Sequence, residues 1–322
     1  MDWRPAAGVQ AARDRAAMIR RVRDCFRASN VLEVDTPALS PFAVSDPQIE
    51  SLEIRQSLVS QRPMFLHTSP EFCMKRLLSA GYPDIFSICR VFRDGESGRQ
   101  HQPEFTMIEW YRRGLGLREI VDDTLALIDA AVTSETLSEN TVTYDYRDAF
   151  LRHARVDPLT ATIDALANAA RADNSLAKSV GNERDDWLDL VFATRIVPAF
   201  EKDRLTVVQH YPASQAALAR CCPDNAQWAD RFEVFFGAVE LANGYVELTD
   251  AQEQRERIEA DNENRRRRDR RVRPYDSALL AALEAGLPAC AGVAVGLERL
   301  QMIQDRTDDI RDVITFSFEA GA

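Results

Sequence analysis

The chain has 322 residues, 45% of them hydrophobic and 28% charged, with a formal net charge of −11. That length allows one large domain or two small ones, with apolar content enough for a sizeable core. No apolar run approaches the roughly 20 residues of a membrane helix, residues 1–8 lack an apolar export core, and the acidic balance argues against a large nucleic-acid footprint. The expectation is a cytoplasmic enzyme with no membrane attachment. Six cysteines form no CxxC pair, and the four histidines are scattered. They read as reduced thiols and ordinary side chains rather than a zinc site.

Along the chain, residues 9–29 carry Ala12, Ala16, Ile19, Val22 and Phe26 at helical spacing, with Asn30 as a cap at the end. Val31 to Val34 reads as a strand stopped by Thr36-Pro37. Residues 70–80 read as a helix with Pro70 at its first turn. Ile85–Phe92 and Glu104–Arg112 read as strands, joined by the polar, glycine-bearing loop Arg93-Asp94-Gly95-Glu96-Ser97-Gly98. Residues 118–133 read as helical, and 145–178 as mostly helical. Residues 231–249 read as two strands turning at Asn243-Gly244, a hairpin signal. A charged helix is expected over 250–268, then a short strand at 292–296 and a helix from Leu297 to Asp305. Strands cluster rather than alternate with helices, so the fold class is α+β with a largely antiparallel sheet flanked by helices. No linker or internal repeat divides the chain. We expect a single catalytic domain over 1–322 with a mainly helical insertion around 145–200.

Three stretches carry chemistry. The hairpin Phe92 to Tyr111 offers a guanidinium at Arg93 for bidentate phosphate binding, a donor at His101, and an aromatic ring at Phe105 for stacking on a base. Phe232 to Leu248 places Glu233, Glu240 and Glu247 among apolar neighbours. Buried carboxylates need a cation, and magnesium takes oxygen ligands. Gly292 to Leu300 is a glycine-bearing strand entering a helix, which lets a ligand approach the backbone and sets Arg299 in the first turn. The run Arg265-Arg266-Arg267-Arg268-Asp269-Arg270-Arg271 is either a solvated helix end or a patch that docks an acidic macromolecule.

Taken together and in this order, these stretches resemble class II aminoacyl-tRNA synthetases. Leu32-Glu33-Val34-Asp35-Thr36-Pro37 is similar to motif 1, the hairpin to motif 2 and Gly292–Leu300 to motif 3. Thr68-Ser69-Pro70-Glu71, His101 to Met107 and Glu240 to Gly244 look like the lysine enzyme. The catalytic part begins at once, with no anticodon-binding OB domain before it, and Ala294 stands where motif 3 has a glycine. With Gln209 to Leu218, these features resemble the elongation factor P–(R)-β-lysine ligases, a truncated branch of the lysyl-tRNA synthetases.

The resemblance implies ATP and Mg2+ as cofactors and lysine or (R)-β-lysine as the amino acid. It implies elongation factor P as acceptor in place of transfer RNA, and a homodimer through motif 1. It places Arg93 and Arg299 as catalytic residues. Asp94, Gly95, Glu96, His101, Gln102, Phe105, Glu240, Leu241 and Gly296 join them around ATP. Glu233 and Glu240 would hold the metal. Ser69, Pro70, Glu71, Glu109, Tyr111, Asn243, Glu247 and Ala294 would line the amino-acid pocket. The pocket also follows from chemistry, because a substrate with two ammonium groups calls for several carboxylates. Two alternatives differ in class: charging of a transfer RNA, and an inactive binding relic. The retained Arg93, Glu233, Glu240 and Arg299 argue against the relic.

Overall fold

A computed structural model describes residues 3–318 except 59 and 135; Met1 and Asp2 of the N-terminal stretch lie outside it. In chain order the elements are α1 (Val9–Ala28), β1 (Leu32–Glu33), β2 (Leu39–Ser40), β3 (Glu53–Ile54), β4 (Met64–Leu66), α2 (Glu71–Ser79), β5 (Ile85–Phe92), β6 (Glu104–Arg113), α3 (Leu117–Ala131) and β7 (Val142–Asp145). There follow α4 (Tyr146–His153), α5 (Ile163–Ala170), α6 (Asn174–Val180), α7 (Arg184–Val191), β8 (Leu205–Pro212), β9 (Cys221–Cys222), β10 (Asn225–Phe236), β11 (Val239–Val246), α8 (Ala251–Arg267), α9 (Ser277–Gly286), β12 (Cys290–Gly296) and α10 (Leu297–Gln304). The chain groups into two compact units, one of residues up to Thr136 with those from Glu247 on, the other Leu137–Val246.

In the first unit β1, β5, β6 and β12 lie side by side. β5–β6 and β6–β12 are antiparallel, and β1 joins β5 in parallel. Alternation along these strands sorts residues to two faces. Phe86 and Trp110 turn one way, where Phe26 of α1 stacks on Phe86 at 4.2 Å between ring centroids. Ile85 and Tyr111 turn the other way and pack with Met74, Leu78, Ile258, Leu279 and Leu283 from α2, α8 and α9. The polar members of that second face, Ser87 and Glu109, are carried inward by the same alternation. Asn30 follows α1 with φ of 55°, a left-handed stop that asparagine tolerates.

β2, β4 and β3 form a small second sheet in this unit, and the segment before β3 is where the arginine run ends up. Arg265 is fully buried, not solvated. Its guanidinium donates to the carbonyls of Ser45, Asp46 and Ile49 and pairs with Glu50 at 2.9 Å. Arg270 donates to Pro47 O, Arg271 pairs with Glu53, and Arg266 pairs with Glu263. Three members of the run thus hold the 45–53 segment, while Arg266, Arg267, Arg270 and Arg271 remain exposed.

In the second unit β11, β10 and β8 are antiparallel neighbours, with β7 parallel to β8. Helices α4, α5 and α7 cover this sheet through Tyr146, Phe150, Leu166, Trp187, Leu188 and Val191, which meet Val208, Tyr211 and Phe235. The hairpin turn differs from the sequence expectation. β11 runs straight through Asn243-Gly244, and the chain reverses at Gly237-Ala238, between the paired Phe236 and Val239. Gly237 takes φ of 53°, and a Cβ there would stand 2.7 Å from Lys202 O. The left-handed turn therefore selects Gly237, while Gly244 keeps an extended place opposite Phe232.

Candidate active site

In the first unit, α2 and the inner face of β6 and β12 bring together most of the amino-acid residues expected from sequence. Glu109 is buried, taking hydrogen bonds from Ser69 Oγ at 2.7 Å and from Tyr111 Oη at 2.6 Å. Ser69 Oγ also accepts from the backbone N–H of Glu71, so the turn into α2 fixes both residues. Pro70 stands just before α2 and is buried. Ala294 pairs with Glu109 and Gly292 with Tyr111 across β6–β12, so the small residues face the site. A Cβ on Gly292 would stand 2.5 Å from Glu247 Oε1 and closer still to the Tyr111 ring. The glycine is there because a carboxylate and an aromatic ring crowd its backbone.

Glu247 is 2% exposed, and its Oε1 has no hydrogen-bond partner among the described residues. Its Oε2 pairs with Lys75 Nζ at 2.5 Å, and Lys75 also pairs with Glu71 at 2.6 Å. Burial pushes the Glu247 carboxyl up to about 8, against the pull of Lys75 and with added repulsion from Glu71 and Glu109. Burial and Glu71 push Glu109 up to about 7, against the hydrogen bonds from Tyr111 and Ser69. Burial works against the Lys75 charge, but Glu247 and Glu71 more than offset it, so its ammonium stays protonated. This is a site short of positive charge, suited to a cationic ligand.

The phosphate-binding candidates of the same unit gather around the β5–β6 loop. Arg93 follows β5, its guanidinium 5.2 Å over the Phe105 ring and 3.7 Å from Glu96. Asp94 is tied by its N–H to Glu50 O, and Gly95 turns the loop with φ of 82°. His101 Nε2 accepts from Arg299 at 2.8 Å, which joins the loop to the first turn of α10 just after Gly296. Gln102 is buried, and its Oε1 accepts from the N–H of Phe318, so that oxygen holds the chain rather than facing outward.

The sequence did not single out Glu298, which precedes Arg299 in the first turn of α10. Glu298 is 2% exposed, accepts from the N–H of Thr106 at 2.9 Å and pairs with Arg15 of α1 at 3.1 Å. Lys75 was also passed over, although its spacing of four from Glu71 on one helix is a legible pair signal.

In the second unit, Glu233 lies opposite Asn243 across β10–β11, and Glu240 opposite Phe235. Leu241 follows Glu240 in β11 and is buried. Glu233 takes hydrogen bonds from Tyr211 Oη at 2.7 Å and Arg231 at 2.6 Å, and Arg231 also reaches Asn243. Burial raises the Glu233 carboxyl to about 7; Arg231 opposes the shift and Glu240 adds to it. A buried carboxylate, Glu233, beside the half-buried Glu240 that repels it could hold an oxygen-preferring divalent cation. Elsewhere in this unit the fold gathers His210, Cys222 and Asp230, residues the sequence left scattered, with ligand atoms within 4.8 Å. Cys222 donates to Asp230 Oδ1 and Arg220 holds Oδ2, so the trio is satisfied without an ion.

The family model for class II tRNA synthetases (D, K and N) matches residues 1–320. An elongation factor P–(R)-β-lysine ligase of Sodalis glossinidius is 43% identical over 98% of this chain and 98% of its own. Ligases of the same name from Pseudoalteromonas translucida and Klebsiella pneumoniae are 41% and 42% identical, again over 98% of this chain and 97% and 98% of their own. The chain belongs to the class II tRNA synthetase family and, within it, to the elongation factor P–(R)-β-lysine ligases.

Proposed function

We propose that this ATP-dependent ligase activates (R)-β-lysine as an aminoacyl-adenylate and transfers it to a lysine ε-amino group of elongation factor P. The observation that carries the amino-acid half is the buried Glu247 Oε1, an acceptor without a partner beside Glu109 and Tyr111. An ammonium group is the ligand such an acceptor favours. In the first step a substrate carboxylate oxygen attacks the α-phosphorus, the α–β P–O bond breaks, and pyrophosphate leaves. In the second, the acceptor amine attacks the adenylate carbonyl carbon, the bond to phosphate breaks, AMP leaves, and the amine gives up a proton as the amide forms.

Neither step needs a protein nucleophile, so the chain works by positioning and charge. Arg93 takes the α-phosphate, braced by Phe105 and Glu96. Arg299 takes the γ-phosphate, with His101 as its partner. Asp94, Gly95, Gln102 and Gly296 complete the nucleotide contacts of the first unit. In the second unit Glu233 and Glu240 would supply oxygens to Mg2+, which would neutralise phosphate charge. In the first unit Ser69, Pro70, Glu71, Glu109, Tyr111 and Glu247 hold the amino acid. Ala294, directly opposite Glu109, narrows the pocket floor by one methyl group and so selects between lysine isomers.

A homodimer accords with the motif 1 segment, where Leu32 and Leu39 are exposed. The acidic net charge favours a protein acceptor over transfer RNA. No helix among the described residues is long and apolar enough to cross a membrane, which suits a cytoplasmic place of work.

The test is mass spectrometry of elongation factor P after incubation with enzyme, ATP, Mg2+ and each lysine isomer, with transfer RNA as the competing acceptor. A gain of one β-lysyl unit on the factor is expected, and the Ala294→Gly enzyme should move preference toward α-lysine. Charging of transfer RNA with the factor unmodified would overturn the reading.

A further inference from the structure

The carboxylates assigned to the amino acid are not alone in their pocket, because the chain places an ammonium group of its own among them. Lys75 is 2% exposed and bridges Glu71 Oε1 at 2.6 Å to Glu247 Oε2 at 2.5 Å. Nothing in the packing of α2 requires a lysine there. Its neighbours Met74 and Leu78 fill the apolar core, and a methionine would suit the same burial.

We propose that Lys75 is a specificity-determining positioning residue, which sets the charge of the amino-acid pocket to match one doubly cationic substrate. The inference rests on the amino-acid pocket assigned above.

The charge count gives the reason. Glu71, Glu109 and Glu247 carry three negative charges when ionised and Lys75 carries one positive charge, which leaves two. Two is the number of ammonium groups on a lysine or β-lysine whose carboxylate is directed at ATP. Amino acids with a single ammonium group would leave one buried carboxylate uncompensated, a costly outcome. Lys75 also takes one oxygen from each partner, which leaves Glu247 Oε1 as the open acceptor. Around Glu247 stand Lys75 and Glu71 from α2, Glu109 and Tyr111 from β6, and Cys290 from β12. Lys75 is the one cation in that set, and it holds down a carboxyl that burial already pushes to about 8. Without it, Glu247 keeps its proton to higher pH and loses its grip on an ammonium group.

Amino-acid-dependent pyrophosphate exchange into ATP tests this with Lys75→Met, Glu247→Gln and the double variant Lys75→Met/Glu247→Gln. Lys75→Met should raise KM for the amino acid at least about tenfold at pH 7, leave KM for ATP within about twofold, and recover in part as pH rises toward 9. The double variant removes both charges of the Lys75–Glu247 pair and leaves only the partly exposed Glu71 without its lysine. There the loss should be no greater than in Glu247→Gln alone, because Lys75 acts through Glu247. If Glu247→Gln raises the amino-acid KM while Lys75→Met does not, Lys75 has no such role. Additive losses, or a parallel fall in ATP binding in the double variant too, would make it a purely structural lysine. If Glu247→Gln itself leaves the amino-acid KM unchanged, the pocket assignment fails instead.

Discussion

Glu109 shows how local bonding and burial compete at one side chain. Two hydroxyl donors, Ser69 and Tyr111, favour its ionised form, yet burial and the neighbouring Glu71 raise its carboxyl to about 7. It therefore changes charge within the working range, and an ammonium ligand must bind the ionised form. Hydrogen bonds to charged groups contribute about 1.5–3 kcal/mol, or about 10- to 100-fold in binding. Glu109→Gln should raise the amino-acid KM by that factor at pH 8 and leave the ATP KM alone. In the wild type, the amino-acid kcat/KM should climb as pH rises through about 7, and in the variant that climb should flatten. A pH series of pyrophosphate exchange reads both outcomes; an unchanged profile would remove Glu109 from the pocket. Glu109 was legible through the resemblance and through the need of a doubly cationic substrate for carboxylates. The Lys75–Glu71 spacing is local, but the pairing of Lys75 with Glu247 and of Glu298 with the N–H of Thr106 was not legible, because these partners lie far along the chain.

At the scale of elements, the sequence located α1, α2, β5, β6, α8 and α10 to within a residue or two; α1 shows an apolar face to a core, whereas α8 is legible by its charge and buries Gln254, Asn262 and Arg265 with Ile258. The α9 helix and the β8 strand were missed. Both are apolar through most of their length, and such runs carry no period to read. The misplaced hairpin shows a different limit. Asn-Gly favours a turn locally, but Glu233↔Asn243 and Phe232↔Gly244 pairing holds that dipeptide in mid-strand, and the tertiary pairing wins.

Within the otherwise largely exposed arginine run, Arg265 is turned inward. Arg265 closes α8 onto the segment before β3, and three backbone carbonyls depend on it. Removal of one partner from a buried ion pair costs about 3–5 kcal/mol. Arg265→Ala should therefore lower Tm by several degrees and open the 45–53 segment to limited proteolysis. Arg266→Ala, at an exposed pair, should do neither. If both variants melt like the wild type, Arg265 is not the clamp described.

Across the whole molecule, both units keep acids inside. Glu109 and Glu247 in one, and Glu233 in the other, stand at about 7, 8 and 7, burial being the largest cause in each. Asp189 and Asp261 follow at about 6, again through burial. In the unfolded chain such carboxyls titrate near 4, so between about pH 4 and 8 the folded chain binds more protons than the unfolded one. The stability these groups contribute is fully present below about pH 4 and is lost as pH rises through their folded values. Each proton held in excess changes the slope by about 1.4 kcal/mol per pH unit. The ligand-free protein should thus lose Tm steadily from about pH 5 to 8 in a low-salt thermal series. A doubly cationic amino acid with ATP and Mg2+ binds the ionised forms, so saturation with these ligands should flatten that decline and stabilise most at the alkaline end. The chain would then be organised so that substrates supply the charge its interior lacks. A Tm that rises over this window, or a ligand effect independent of pH, would mean that these carboxyls are compensated within the protein itself.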